Sequence, residues 1–157
     1  MEKYLLISSG SLAKHLKFYF SQAGLDFNCW SRDEDREHLQ AALHNCTHVL
    51  LAISDNAIEK FIEDFPELKS LQIVHFSGAL SLTQAESAHP LMTFSSELYA
   101  YEDYTKIPFI TEKGRATFNQ LFPQLTNPSF EIRSADKSLY HGLFVTIVNL
   151  TTILSQE

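Results

Sequence analysis

Within the first 32 residues an apolar run, Tyr4-Leu5-Leu6-Ile7, gives way to Ser8-Ser9-Gly10-Ser11-Leu12-Ala13. A helix-patterned segment then runs to Gly24, and a second run closes Phe27-Asn28-Cys29-Trp30-Ser31-Arg32. Strand, small-residue turn, helix and strand in that order make a βαβ unit, whose crossover forces the two strands to run parallel. A parallel sheet must be covered on both faces, so this opening constrains everything that follows. Between Leu12 and Ala23 the apolar positions Leu12, Ala13, Leu16, Tyr19, Phe20 and Ala23 fall on one helical stripe, and Gly24 stands where a left-handed cap favours glycine.

The rest of the chain keeps alternating. Asp35 to His44 reads as a short helix with Leu39, Ala42 and Leu43 inward, and Thr47 to Ile53 as a strand buried on both faces. Ala57 to Phe65 is a helix for which Ser54 or Asp55 is a suitable N-cap. Leu71 to Phe76 is the next strand, followed by a short one within Ser87 to Phe94. Beyond an aromatic and acidic loop, Tyr99 to Tyr104, come a strand at Lys106 to Thr111 with Pro108 in an edge-like position, a helix at Lys113 to Phe122 and a strand at Phe130 to Arg133. Asp136 can cap a last helix that is apolar over more than one face, at Leu139, Tyr140, Leu143, Phe144, Ile147, Val148, Leu150, Thr151 and Leu154. The pattern predicts an α/β fold: a Rossmann-like, doubly wound, mainly parallel sheet over residues 1–134, followed by one C-terminal apolar helix in residues 135–157.

The first turn is compatible with nucleotide binding, although a small-residue turn joining any strand to any helix looks similar. A backbone that must bend sharply out of a strand, come close to a pyrophosphate and let the next helix pack on the sheet needs small residues in the pattern G-x-G-x-x-G/A. Gly10 and Ala13 hold the second and third positions, and Ser8 stands in the first. The following helix directs its free amides at an anion. Candidate nucleotide-binding residues here are Ser8, Ser9, Gly10, Ser11, Leu12 and Ala13. At the end of the second strand an acidic residue would receive the ribose hydroxyls of NAD, whereas an arginine accommodates the extra phosphate of NADP. Ser31 and Arg32 come first, which favours NADP over NAD; Asp33-Glu34-Asp35 would repel that phosphate if it faced inward, leaving Arg32 to solvate a loop. Ser54 and Asp55 follow a parallel strand at its carboxyl end, where open α/β sheets bind ligands.

Charge narrows the partners. With 12 basic and 19 acidic residues in 157, a net charge of -7 and no basic block, nucleic acid and anionic membrane are excluded as natural partners. No apolar stretch of about twenty residues and no leader pattern precede the fold, so a soluble, cytoplasmic protein is expected. Cys29 and Cys46 form no framework and read as reduced thiols, a disulfide being the alternative.

Several segments together resemble a known family. Ala52-Ile-Ser-Asp-Asn-Ala-Ile58, His75-Phe-Ser-Gly-Ala-Leu80, His89-Pro-Leu-Met-Thr-Phe94, Ala135-Asp-Lys-Ser-Leu-Tyr-His141 and Asn149, behind the N-terminal turn, are similar to a family of predicted NADP-dependent oxidoreductases. In that family a Rossmann-like domain precedes a helical domain of unknown function, and its wider relatives are the 6-phosphogluconate dehydrogenase and pyrroline-carboxylate reductase superfamily. The resemblance implies NADP as cofactor, Ser77 and Gly78 as further nucleotide contacts, and a small-molecule substrate. Family members are usually much longer, with several more helices that close over the nicotinamide and often build a dimer. The expectation is therefore a C-terminally shortened member: a fragment, a nucleotide-binding module, or a chain whose partner subunit completes the site. A second copy packed on the C-terminal helix, giving a homodimer, is the simplest cover for its apolar surface.

The resemblance implies hydride transfer to or from a small carbonyl or imine, with the protein supplying position and a proton. A proton donor with a pKa near neutral is wanted, which selects His75, His89, Lys137 and His141. Lys137 and His141 are four apart and share a helix face, with Asn149 eight beyond; His141 as donor and Asn149 as orienting amide is the preferred assignment. A different class of function is a catalytically inactive dinucleotide-binding or dimeric scaffold module. The alternation His44-x-Cys46-x-His48 could array three metal ligands, but a helix end running into a buried strand would not make them converge, and no metal is assigned.

Overall fold

The computed structural model describes the backbone of residues 1–154 and the side chains of residues 1–147. Five parallel strands, β1 (Tyr4–Ser8), β2 (Phe27–Trp30), β3 (His48–Ala52), β4 (Gln72–His75) and β5 (Glu86–Ser87), form a sheet in the order β2-β1-β3-β4-β5. Three helices cross between them: α1 (Gly10–Gln22), α2 (Arg36–His44) and α3 (Asp55–Asp64). The predicted α/β, doubly wound parallel fold is the one observed.

Because successive strand residues face opposite sides, β1 serves two cores. Tyr4 and Leu6 join Leu16, Phe20, Leu50 and Val74 on the α1 side, while Leu5 and Ile7 join Leu39, Val49, Ile58 and Ile62 on the α2 and α3 side. Ala13 is buried on the α1 face, which lets that helix lie close to the sheet. Gly24, at φ +73°, ends the helix in the left-handed region, as its position in the sequence predicts.

Ala88 alone separates β5 from β6 (His89–Pro90), so one extended stretch leaves the parallel sheet and starts a second one. There β7 (Phe109–Glu112) lies between β6, antiparallel to it, and β8 (Ser129–Ile132), parallel to it. Pro108 is consequently not on an edge strand: it precedes a central strand, and its carbonyl accepts from the Leu91 amide at 2.8 Å. The Tyr99 to Tyr104 loop contains a helical turn, α4 (Tyr101–Tyr104). It is tied to α1 by His15, whose ring nitrogens meet the Tyr104 hydroxyl at 2.6 Å and the Ser95 carbonyl at 2.8 Å.

The helix predicted from Lys113 to Phe122 shrinks to α5 (Phe118–Leu121). Gly114, at φ +82°, turns the chain in a conformation no helix interior allows, and a reciprocal cap between Thr117 and Gln120 starts the helix afresh. Asp136 does not cap the last helix. It lies in a 3-10 turn and takes the Arg133 Nε–H at 2.6 Å, and α6 (Lys137–Leu154) begins after it. Among the described residues no helix is long and apolar enough to cross a membrane. Cys29 and Cys46 are free, and burial pushes both thiols upward in pKa.

Candidate functional site

In a sheet ordered 2-1-3-4-5 the chain reverses direction of winding between β1 and β3, and the crevice beyond the carboxyl ends of the strands at that point is where such folds take ligands. A cavity of about 610 Å³ lies there, lined by Ser8 at the end of β1 and Ser9 after it, Trp30 at the end of β2 and Arg32 after it, and Ile53 and Ser54 after β3, with Asn56, Lys60 and Phe61 from α3. The Ser9 amide donates to the Ala52 carbonyl at 3.0 Å, and the Ser8 hydroxyl to the Trp30 carbonyl at 3.4 Å, so the turn is fastened to both neighbouring strands.

Ser8 in place of the first motif glycine brings no strain. It is the last residue of β1, and of this turn only Gly10, at φ +77°, is in the left-handed region. Nothing lies within 4 Å of the place a Cβ on Gly10 would occupy, so the backbone there is open to close approach. Ser11 is exposed on α1, whereas Leu12 and Ala13 pack toward the core and are absent from the crevice lining. Arg32 is exposed at the rim. Ser31 is engaged by the acidic run beside it: Glu34 Oε1 accepts from the Ser31 amide at 2.9 Å and from its hydroxyl at 3.4 Å.

A second cluster forms at the ends of β4, β6 and β7 and the start of α6. Ser77 donates its hydroxyl to Asp55 Oδ2 at 2.7 Å and accepts from the amides of Ala79 and Leu80, which shapes the loop that carries Gly78. Asp55 is thus held by Ser77 and, like Ser54, makes no side-chain cap on α3. A Cβ on Gly78 would overlap the ring of His141 and lie 2.9 Å from His89 Nε2, so the bare glycine lets both rings close on this loop. His89 Nδ1 donates to the Phe76 carbonyl at 3.0 Å, and the His89 and His141 rings meet edge to face at 5.6 Å. Four buried polar atoms lack a partner here among the described residues: His75 Nε2, His89 Nε2, His141 Nδ1 and the Tyr140 hydroxyl.

Lys137 is fully buried beneath them. Its ammonium donates to Ser87 Oγ at 2.7 Å and pairs with Glu112 at 3.2 Å; Glu112 also accepts from the hydroxyls of Ser81 and Ser134. Burial pushes Glu112 upward, but the hydroxyls and Lys137 outweigh it and hold the carboxyl below its usual range. Burial lowers Lys137 by more than Glu112 restores. His75, which accepts the Ser77 amide at Nδ1, is pushed down to about 3 by burial and by the Lys137 charge; burial also lowers His89, against the pull of the Phe76 carbonyl. Both rings are neutral at neutral pH.

The two groups of candidate residues therefore separate: Ser8, Ser9, Arg32 and Ser54 line the crevice, with Gly10 and Ser31 next to them in the chain, while Asp55, Ser77, Gly78, His75, His89, Lys137 and His141 gather at the second cluster. The side chain of Asn149 lies outside the described residues. Sequence reasoning missed Glu112, Ser87, Tyr140 and Lys60. Glu112 carried a signal, as a charge closing an otherwise uncharged Phe109-Ile-Thr strand that predicts burial with a partner. His44, Cys46 and His48 bond to Gln40, Leu43 and Thr47 respectively, and among the described residues no group of three potential metal ligands converges.

No family model and no curated protein matches this chain. Solved structures do. A Bacteroides fragilis protein described provisionally as an NADP oxidoreductase superposes with a TM-score of 0.71 at 20% identity, over 98% of this chain and 69% of that one. An imine reductase from Myxococcus stipitatus in complex with NADP+ gives 0.69 at 12% identity, over 98% and 63%. Plasmodium falciparum pyrroline carboxylate reductase with NADP bound gives 0.69 at 11%, over 98% and 66%. This chain spans about two thirds of the length of these proteins and shares their Rossmann-like fold.

Two outcomes follow from the buried charges. Replacing Glu112→Gln strands the Lys137 ammonium and is expected to cost about 3–5 kcal/mol in urea denaturation, and adding Lys137→Met to it recovers a large part of that. The depressed His75 binds no proton in the folded state until pH falls to about 3, whereas in the unfolded chain it is protonated below about 6.5, so its contribution is complete above 6.5 and is lost as pH falls. Unfolding free energies from urea denaturation at pH 7 and pH 5 should differ by about 2 kcal/mol more in the wild type than in His75→Asn; equal differences would refute the assignment.

Proposed function

We propose that the chain binds NADP in the β1/β3 crevice and acts as an oxidoreductase on a small carbonyl or imine. The observation that carries this reading is the crevice itself, lined by Ser8 and Ser9 just before the open Gly10 turn and by Arg32 at its rim, at the switch point of the sheet. Solved structures of the same fold with NADP+ or NADP bound support it. The backbone at Ser9 and Gly10 and the start of α1 would hold the pyrophosphate, and Arg32 the 2′-phosphate. The bound nucleotide supplies a hydride donor or acceptor. The chain's own part lies with His89, His141 and the Gly78 loop, which orient the reacting group, while Lys137, His75 and Glu112 hold that loop and the start of α6 in position.

A second reading, a dinucleotide-binding module without turnover, is favoured by two observations. Glu34 stands against Ser31 where a 2′-phosphate would be received, and His75 and His89 are both neutral. Titration with NADPH and NADH, followed by nicotinamide fluorescence and melting temperature, separates the possibilities. Micromolar NADPH binding is expected, with Arg32→Ala weakening NADPH about tenfold or more and leaving NADH unchanged. Binding of neither at millimolar concentration would remove the cofactor assignment; binding with no turnover on any carbonyl or imine would select the module.

The segment from 135 onward is the proposed dimerisation element. On α6, Leu139 and Leu143 are one turn apart and 69% and 56% exposed, an apolar stripe that a second copy would cover. Sedimentation is expected to give a dimer that Leu143→Glu converts to a folded monomer; a wild-type monomer at high micromolar concentration would refute this.

A further inference from the structure

We infer that Lys60 is a second cation for the 2′-phosphate of the nucleotide, supplied by α3 rather than by the loop of Arg32, and that Asp64 holds it aside until that phosphate arrives. The inference rests on the reading of the crevice as a dinucleotide site, and it names the pair that would set the choice between NADPH and NADH there.

The loop of residues 31–35, which carries Arg32, is pinned onto α3 at both ends. Just before it, the Trp30 ring packs on the Phe61 ring with centroids 6.3 Å apart. Just after it, the Arg36 guanidinium lies 4.6 Å over the Phe65 ring and donates from Nη2 to the Asp64 carbonyl at 3.2 Å. The second half of α3 therefore stands against the arginine-bearing loop. Ala57, Lys60, Phe61 and Asp64 fall at i, i+3, i+4 and i+7 of that helix and line the crevice together with Arg32, while Ile58 and Ile62 are buried in the core.

The loop's own charge opposes a phosphate. Asp33, Glu34 and Asp35 set three acids beside one arginine. Ser31, the other candidate donor, already gives its amide and its hydroxyl to Glu34. Arg32 alone is thus outnumbered where a group carrying close to two negative charges would be received. Among the described residues that line the crevice, Lys60 is the other cation. Its ammonium donates to both carboxylate oxygens of Asp64, at 3.0 and 2.9 Å, in a pair whose side chains are 75% and 49% exposed. A solvated i, i+4 pair is among the weakest of ion pairs, so a phosphate can draw the lysine from it, and the flexible four-carbon stem allows the ammonium to turn. NADH, with a hydroxyl in place of the phosphate, offers no charge to do so.

The test reads the ratio of the NADH and NADPH dissociation constants of the full chain by nicotinamide fluorescence, and the 2′-phosphate of bound NADP+ by phosphorus NMR. Lys60→Met is expected to reduce the preference for NADPH about tenfold, and Lys60→Arg to keep it. Asp64→Asn breaks the same ion pair but frees the lysine and removes an anion, so it is expected to raise the preference roughly threefold. The second ionisation of the bound 2′-phosphate should fall at lower pH in the wild type than in Lys60→Met. If the pair merely braced α3, Lys60→Met and Asp64→Asn would act with the same sign. Changes of the same sign, a preference that survives Lys60→Met, or an unmoved phosphate titration would overturn the inference, while NADPH binding in the same experiments would leave the cofactor reading standing. Binding of neither nucleotide at millimolar concentration would overturn both.

Discussion

The pairing of β1 with β2 on one edge and β3 on the other is the constraint from which the site follows. Both pairings are parallel and in close register, Leu6 opposite Cys29 on one side and Leu50 on the other. Two parallel neighbours oblige the chain to cross over twice from one end of the sheet, first through α1 and then through α2, and the two crossovers cover opposite faces. The strand ends are pushed apart where the winding reverses, and the crevice lined by Ser8, Arg32 and Ser54 is the gap.

A second, independent contact holds the other half of the site. Lys137 and Glu112 come from α6 and β7, and their ion pair is satisfied by three hydroxyls, Ser81, Ser87 and Ser134, from three further segments. Burying two charges costs several kcal/mol each before pairing recovers it, so the arrangement contributes register more than net stability. It sets where α6 begins, and with it the approach of His141, one turn later, to Gly78 and His89. The neutral rings of His75 and His89, a loop with a bare glycine and sealed nitrogens that lack a partner among the described residues are what this register leaves at the surface of contact.

Legibility differed along the chain for physical reasons. The strands and helices up to His75 announce themselves because parallel strands buried on both faces are continuously apolar and the crossing helices have one stripe, as in Val49 to Ala52 against Leu39 and Leu43. The stretch from Lys113 to Phe122 misleads. Its apolar residues Ala116, Phe118, Leu121 and Phe122 have helical spacing, but Gly114 takes a left-handed turn and Arg115 is drawn away to Glu86 and the Leu82 carbonyl. Spacing reports which residues go inward and is blind to a single backbone conformation that ends the element.

The residues of the site were visible as types before they were visible as a site. Local sequence determined the βαβ opening, the Gly10 turn, the arginine at the end of β2 and the histidines at strand ends, since each depends on neighbours a few positions away. Tertiary structure alone decided that His89 and His141, 52 residues apart, close on one glycine, that Glu112 reaches Lys137, and that Glu34 folds onto Ser31. Those juxtapositions, and the pKa displacement of His75 that goes with them, arise from burial and from partners brought in across the sheets, and desolvation is a property of the packed chain that no stretch of residues carries by itself.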